Sequence, residues 1–220
     1  MKMIIKTPDF LQAEFFMRDE KINFSDLPLI APLQVHADKI LIIDDSNINQ
    51  FSTPGHPEAD GIFLRTSKAE ASLRFADCTP VLIFGENSAM ILHSGYKGTV
   101  LKIAAKGVKL FNDFGEKSEN LHAWIGPCIG QAHYARNLFN DEWTLKGKEI
   151  FHAENFIENE NEKKIYFDLA GEIKTQLKES GLDEKNINLS GIDTFENLDC
   201  YSYRRGDKIE RMTLKIKLLS

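Results

Sequence analysis

The densest apolar patterning in the chain lies between residues 76 and 99. Val81–Phe84 and Met90–Leu92 are short apolar runs separated by the polar stretch Gly85-Glu86-Asn87-Ser88. That pattern predicts two buried neighbouring strands joined by a turn. In an antiparallel hairpin the start of one strand lies beside the end of the next. Cys78, before the first run, and His93, after the second, are therefore expected to converge. Gly95 and Gly98 then flank Tyr96 and Lys97 before the chain turns into a helix. Such a turn can bring backbone N–H groups and a helix N-terminus up to an anion.

On the N-terminal side, Met3–Lys6 predicts a short strand, and Phe10–Phe16 fits strand or helix equally. Pro28 and Pro32 bracket an extended linker, Lys39–Asp44 reads as a buried strand, and residues 52–61 form a Pro- and Gly-rich loop. Ile62–Arg65 resumes as a strand, and Ala69–Phe75 leads into the central hairpin. Thr99 to Gly115 predicts a helix with Thr99 as N-cap, an apolar stripe of Val100, Ile103, Ala104, Val108, Phe111 and Phe114, and Gly115 past its end. Leu121–Ile125 is a strand that ends in the turn Gly126–Gly130. Residues 135–163 are acidic and aromatic, read as partly helical, with a solvated run at Glu158–Lys164. Asp168 caps a second helix whose Leu169, Ile173 and Leu177 face the core and which Gly181 stops. Ile187–Ile192 and Arg211–Leu219 are strands. In the last, Met212, Leu214, Ile216 and Leu218 alternate with Thr213, Lys215 and Lys217, which predicts one wet face and a lysine-guarded edge. The mixture of adjacent strands and separate helices reads as one α+β domain across residues 1–220.

Composition narrows the function classes. The 220 residues are 42% hydrophobic and 27% charged, with a formal net charge of −6. That charge leaves no basic footprint for nucleic acid. No apolar run approaches the roughly 18 residues that span a bilayer. The start, Met1–Pro8, is too short and too soon broken for a signal peptide. Three scattered cysteines, Cys78, Cys128 and Cys200, predict reduced thiols and a cytoplasmic address.

His36, Cys78 and His93 are the candidate metal ligands, although a lone histidine is commonly a hydrogen-bonded core residue and a lone cysteine a small hydrophobe. A wider set of blocks occurs in order: Gln34-Val35-His36, Ala59-Asp60-Gly61, Ala76-Asp77-Cys78-Thr79-Pro80-Val81-Leu82, His93–Thr99, Gly126-Pro127-Cys128-Ile129-Gly130 and Tyr201–Arg205. Together they resemble the family once named polyphenol oxidase or multicopper laccase, whose members are now described as purine nucleoside phosphorylases and some as peptidoglycan editing factors. The resemblance covers about residues 33 to 217. It implies a layered αββα sandwich with mixed sheets and a zinc ion held by His36, Cys78 and His93. It also implies phosphorolysis of adenosine, inosine and methylthioadenosine, with adenosine deamination as a second reaction. The partners are then a small purine nucleoside and phosphate.

Two nitrogen ligands and one sulfur suit zinc and leave a position open for water or substrate. Asp77 is placed to orient that water or shuttle a proton, and equally to cap or support the ligand beside it. Lys97 stands where the family more often has arginine, so it keeps a positive charge for phosphate without the bidentate fork. Gly95, Gly98 and Thr99 belong to the candidate anion site. The Gly126–Gly130 turn, with Cys128, would offer N–H groups to an oxyanion or phosphate. Arg204 and Arg205 either line the pocket or form a solvated face, and Cys200 reads as structural. Two departures stand out: Asp193-Thr194 replaces the family's Cys-Thr, and residues 1–33 lack its glycine-rich GGVS-like block. Three other functions compete. Copper-dependent phenol oxidation is disfavoured by a total of six histidines. A Cys–His amide hydrolase would use Cys78 as nucleophile and His93 as base. A metal-stabilised binding domain would bind without turnover.

Overall fold

A computed structural model describes residues 2–51, 57–139 and 141–219. In chain order its first half runs β1 (Lys2–Ile4), β2 (Leu11–Phe16), β3 (Leu29–Ile30), β4 (Ile40–Ile43), α1 (Ile48–Phe51), β5 (Gly61–Leu64), β6 (Glu70–Phe75), β7 (Thr79–Phe84) and β8 (Ala89–Ser94). The second half runs α2 (Tyr96–Val100), α3 (Ile103–Asp113), β9 (His122–Ile125), β10 (Ala135–Asn137), α4 (Glu142–Ile150), β11 (Phe156–Asn159), β12 (Lys164–Phe167), α5 (Leu169–Glu179), β13 (Ile187–Leu189) and β14 (Met212–Leu218).

The fold is α+β. A six-stranded mixed sheet, β13-β9-β7-β8-β5-β4, is parallel at its two margins and antiparallel in the middle. Because β7 and β8 are central and buried along their whole length, both their faces must be apolar, which is why they read as continuous runs. Leu82, Phe84, Ile91 and Ile62 face one core, shared with Phe15, Leu73, Leu214 and Ile216 of the second sheet. Val81, Ile83, Met90 and Leu92 face the other, under Ile103, Val108 and Phe111 of α3 and Ile173 and Leu177 of α5.

The second sheet is five-stranded, β1-β2-β14-β6-β3. Here β14 is central, between β2 and β6, so it is no lysine-guarded edge. Lys215 is buried, and its ammonium lies 3.2 Å from Glu14 and 3.9 Å from Glu70 and donates to the carbonyl of Asn23. The alternation is real, but Lys215 faces Glu14 and Glu70 rather than water, while Lys217 is half-buried. Lys215→Met leaves buried Glu70 without its ammonium and Glu14 with Lys2 alone, and is expected to destabilise the fold by about 3 kcal/mol, read by denaturant unfolding. Burial opposes Glu14's charge, yet the ammonium groups of Lys2 and Lys215 outweigh it and hold its pKa below the ordinary 4.5. A carboxylate with a lowered folded pKa contributes stability above its unfolded pKa and loses it as the pH falls through the folded value. Stability is therefore expected to fall in acid below the ordinary glutamate range, and less steeply in Lys215→Met.

Phe10–Phe16, undecided between strand and helix, supplies β2, and the proline-bracketed linker contains β3, parallel to β6. Residues 52–56 of the expected loop lie outside the described residues. The acidic, aromatic stretch contains α4 but also a three-stranded sheet, β10-β12-β11, that its composition concealed. The helix expected from Thr99 begins earlier, at Tyr96 with Gly95 as N-cap, and breaks at Lys102, whose φ of 57° is left-handed. Thr99 sits inside it, its hydroxyl returned to the carbonyl of Gly95. Phe114 is 40% exposed, off the predicted stripe, whereas Gly115 with φ 87° follows the end as expected. Asp168 accepts from the N–H of Gly171 and caps α5, and Gly181 takes φ 100° past its end. Strand β13 stops at Leu189, short of Ile192.

Candidate metal centre and active site

Strand register assembles the centre. In the β7–β8 pair Pro80 opposes His93 and Thr79 opposes Ser94, which carries Cys78 to the side of Gly95. In the β5–β8 pair Gly61 opposes Leu92, so Asp60 arrives beside His93. His36 comes from the loop before β4. The donor atoms of His36, Cys78 and His93 lie within 4.8 Å of one another, and the two imidazole rings meet edge-on with centroids 4.9 Å apart. His36 is exposed, Cys78 half-buried and His93 buried, so the cluster has one side open to solvent.

Asp60 organises this arrangement, a role its place in the sequence does not announce. It is fully buried. Its carboxylate accepts the N–H groups of Val35, His36 and Ala37 at 3.2, 3.0 and 2.8 Å. His93 Nδ1 lies 2.7 Å from Asp60 Oδ1. With Nδ1 engaged by a carboxylate, Nε2 is left to face the other donors, the usual support for a metal-bound histidine. His36 holds φ 58°, a left-handed conformation that costs a non-glycine residue about 1 kcal/mol or more. The three N–H bonds to Asp60 fix it there. The only sequence signal was the acid in Ala59-Asp60-Gly61, one residue ahead of a strand.

The second ligand-bearing loop is fixed in the same way. Asp77 has φ 76°. Its Oδ1 accepts the Thr194 hydroxyl at 2.7 Å, and its Oδ2 accepts the N–H of Arg204 at 2.7 Å. The aspartate thus ties Cys78 to the 194–204 segment. A Cβ on Gly95 would lie 2.7 Å from Cys78 Sγ and 3.4 Å from His36 Cδ2, so only glycine lets the chain pass this close to the donors. Gly95→Ala is expected to displace the thiol and weaken metal binding by about tenfold or more, measured by competition with a chromophoric chelator.

Electrostatics favour a thiolate. Burial raises the pKa of Cys78, but the charge of His93 and hydrogen bonds from His36 and His93 outweigh it and bring it down. Burial likewise opposes charge on His93, and Cys78 and Asp60 outweigh it and raise its pKa. The other thiols differ. Burial pushes Cys128 up to about 12 and Cys200 up to about 11. All three cysteines are free. In the native, metal-free protein a thiol reagent is expected to modify Cys78 alone near neutral pH, and all three only after denaturation. Rapid native labelling of Cys128 would contradict this.

The remaining expected site residues are more scattered in role. Thr99 is fully buried, its hydroxyl bonded to Ser94 and to the carbonyl of Gly95. Gly98 is a close-approach position, since a Cβ there would lie 3.3 Å from the carbonyls of Ala37 and His93. The Gly126–Gly130 turn is not an anion cradle: the N–H groups of Gly126, Cys128 and Ile129 are bound by the carbonyls of Pro80, Ile192 and Asp77. Lys97 is exposed, its ammonium 5.1 Å from the Trp143 ring centre. α2 spans five residues, too short to contribute a strong N-terminal field. The two arginines differ, Arg204 being exposed and Arg205 half-buried. Arg204 Nη1 reaches the carbonyls of His133 and Ala135, and its guanidinium stands 5.3 Å from the Tyr134 ring centre. Arg205 binds the carbonyls of Thr194, Phe195, Asn197 and Cys200 and the carboxylate of Asp207.

The model of the family described as multi-copper polyphenol oxidoreductase laccase matches residues 14–218. The chain belongs to this laccase-type family. The match begins well before residue 33, within β2, and includes the segment after it. A protein of Rickettsia prowazekii named purine nucleoside phosphorylase is 30% identical over 216 residues, covering 95% of this chain and 84% of the relative. Its namesake in Rickettsia conorii is 33% identical over 177 residues, covering 78% and 68%. Among solved structures, the Bacillus licheniformis hypothetical protein YfiH superposes with a TM-score of 0.86 at 21% identity, covering 99% of this chain and 96% of that one. YlmD from Geobacillus stearothermophilus superposes with a TM-score of 0.81 at 19% identity, covering 97% and 94%. Among the described residues no helix is long and apolar enough to cross a membrane.

Proposed function

We propose that this laccase-type protein is a zinc-dependent purine nucleoside phosphorylase acting on adenosine and inosine, and on methylthioadenosine, with adenosine deamination as a second reaction. The observation that carries the reading is the convergence of His36, Cys78 and His93 within 4.8 Å, with Asp60 orienting His93. The relatives named purine nucleoside phosphorylase supply the substrate class. The donor set fits zinc: one thiolate-competent sulfur, two imidazoles and a side open to solvent, where a fourth ligand can come and go. A multicopper centre would need more histidines than these two. When bound, zinc supplies Lewis acidity at that open position.

In phosphorolysis a phosphate oxygen forms a bond to C1′ of the ribose as the bond from C1′ to the purine nitrogen breaks. The base leaves with a proton and the sugar as ribose 1-phosphate. The chain must hold the dianion, orient the nucleoside and exclude water as nucleophile. Arg204 is tethered through its N–H to Asp77, one residue from Cys78, and its exposed guanidinium bonds the carbonyls of His133 and Ala135. Lys97 stands two residues after Gly95, which packs on Cys78 Sγ. These two cations are the phosphate-binding groups in this proposal, in place of the family's more usual arginine at Lys97. Asp77, with both carboxylate oxygens engaged, positions Cys78 and Arg204 rather than carrying a proton.

The test is chromatography of adenosine and inosine with and without phosphate. Free base and ribose 1-phosphate are expected only with phosphate. Lys97→Ala should raise the KM for phosphate by about tenfold, the loss of roughly one charge-assisted contact, and change deamination little. Equal loss of both reactions would remove the phosphate role. A second reading follows from the order Asp60–His93–Cys78, which also suits a Cys–His amide hydrolase acting on amides such as muramyl peptides, in peptidoglycan precursor editing. It requires a metal-free Cys78, since a zinc-bound thiolate cannot attack.

A further inference from the structure

A second group of donors lies on the 194–204 side of the centre and shares no ligand with it. His133 Nε2 is 3.0 Å from Glu196 Oε1 and 3.7 Å from Asp193 Oδ2. One atom from each of the three residues falls within 4.8 Å of the others. We propose that His133, Asp193 and Glu196 form a second, weaker site for a divalent cation.

Three observations support a built site. The backbone is fixed: Asp193 pairs with Cys128 in a parallel bridge, the N–H of Asn197 binds the Asp193 carbonyl, and Arg205 binds the carbonyls of Thr194, Phe195 and Asn197. Two of the three side chains are oriented: Asp193 Oδ1 accepts the N–H of Phe195, which leaves Oδ2 toward His133, and the imidazole stacks on Phe195 with ring centroids 4.2 Å apart. The charge is unbalanced: one imidazole faces two carboxylates, while the nearby guanidiniums of Arg204 and Arg205 bind main-chain carbonyls and Asp207. A nitrogen and two oxygens form a harder donor set than the two nitrogens and a sulfur of the first centre. They suit zinc or manganese held less tightly. Thr194, next to Asp193, bonds Asp77, so the two sites share a supporting segment without sharing a ligand.

The experiment uses the full chain. Metal-free protein is titrated with cobalt(II) and followed by absorption, and protein carrying one zinc is titrated with further zinc by calorimetry. The first cobalt equivalent is expected to produce a sulfur-to-cobalt charge-transfer band from Cys78. The second should add only ligand-field absorption. Glu196→Gln, at an exposed position, and His133→Ala should weaken the second equivalent by more than the roughly tenfold that losing an outer-shell partner costs, and leave the charge-transfer band intact. The proposal is overturned if no second equivalent binds at millimolar metal, which leaves a His133–Glu196 ion pair only. It is also overturned if the second equivalent is unchanged in both variants, or if it brings a second charge-transfer band. Failure of the first centre is separate, since it would appear as loss of the original band.

Discussion

Replacing Asp60 with alanine is expected to destabilise the fold by about 3 kcal/mol or more and to weaken metal binding by roughly ten- to a hundredfold. The carboxylate is fully buried and accepts three N–H groups from the His36 loop and one from His93 Nδ1. Its removal leaves those donors unsatisfied, frees His36 from its left-handed backbone and releases the His93 ring. Asp60→Asn should fall between, because one amide oxygen can still accept while the NH2 group faces donors. Thermal melting and a zinc competition assay measure the two effects. An Asp60→Ala protein with native zinc affinity would show that this hydrogen bond does not orient the ligand.

Cys78→Ala is expected to lose zinc altogether on dialysis, leaving two imidazoles that hold it too weakly to persist. The substitution is half-exposed and small, so the metal-free fold should survive. Wild-type protein should therefore melt higher with zinc than without, because a ligand that binds only the folded state adds RT ln(1 + [L]/Kd) of stability, while the variant should melt alike under both conditions. Full zinc retention in Cys78→Ala would remove that residue from the ligand set. The same result would reopen the amide-hydrolase reading, in which the thiol is free.

The hairpin β7–β8 was legible because central strands buried on both faces leave unbroken apolar runs, and register then brings Cys78 and His93 together. Lys215 was misread because alternation looks the same whether the polar side chains meet water or buried Glu14 and Glu70. Strands β10, β11 and β12 were hidden because short strands with exposed faces carry charged residues, as Glu158 and Lys164 do. At the centre, the donors were legible once the ordered blocks were compared with a family. Asp60 was not: an acid before a strand resembles any loop residue until the pairing of Gly61 with Leu92 sets it against His93. The Gly126–Gly130 turn misled for the opposite reason, since its glycines serve close packing, with a Cβ at Gly126 falling 2.3 Å from Trp124, while its N–H groups bind main chain.

One measurement tests the central claim most directly: metal analysis of the purified full chain, with the same sample incubated with inosine in the presence and absence of phosphate. The account predicts about one tightly held zinc per chain and phosphate-dependent release of hypoxanthine with ribose 1-phosphate. Protein carrying its full zinc that converts no nucleoside would contradict it, and would leave a metal-stabilised binding domain in its place.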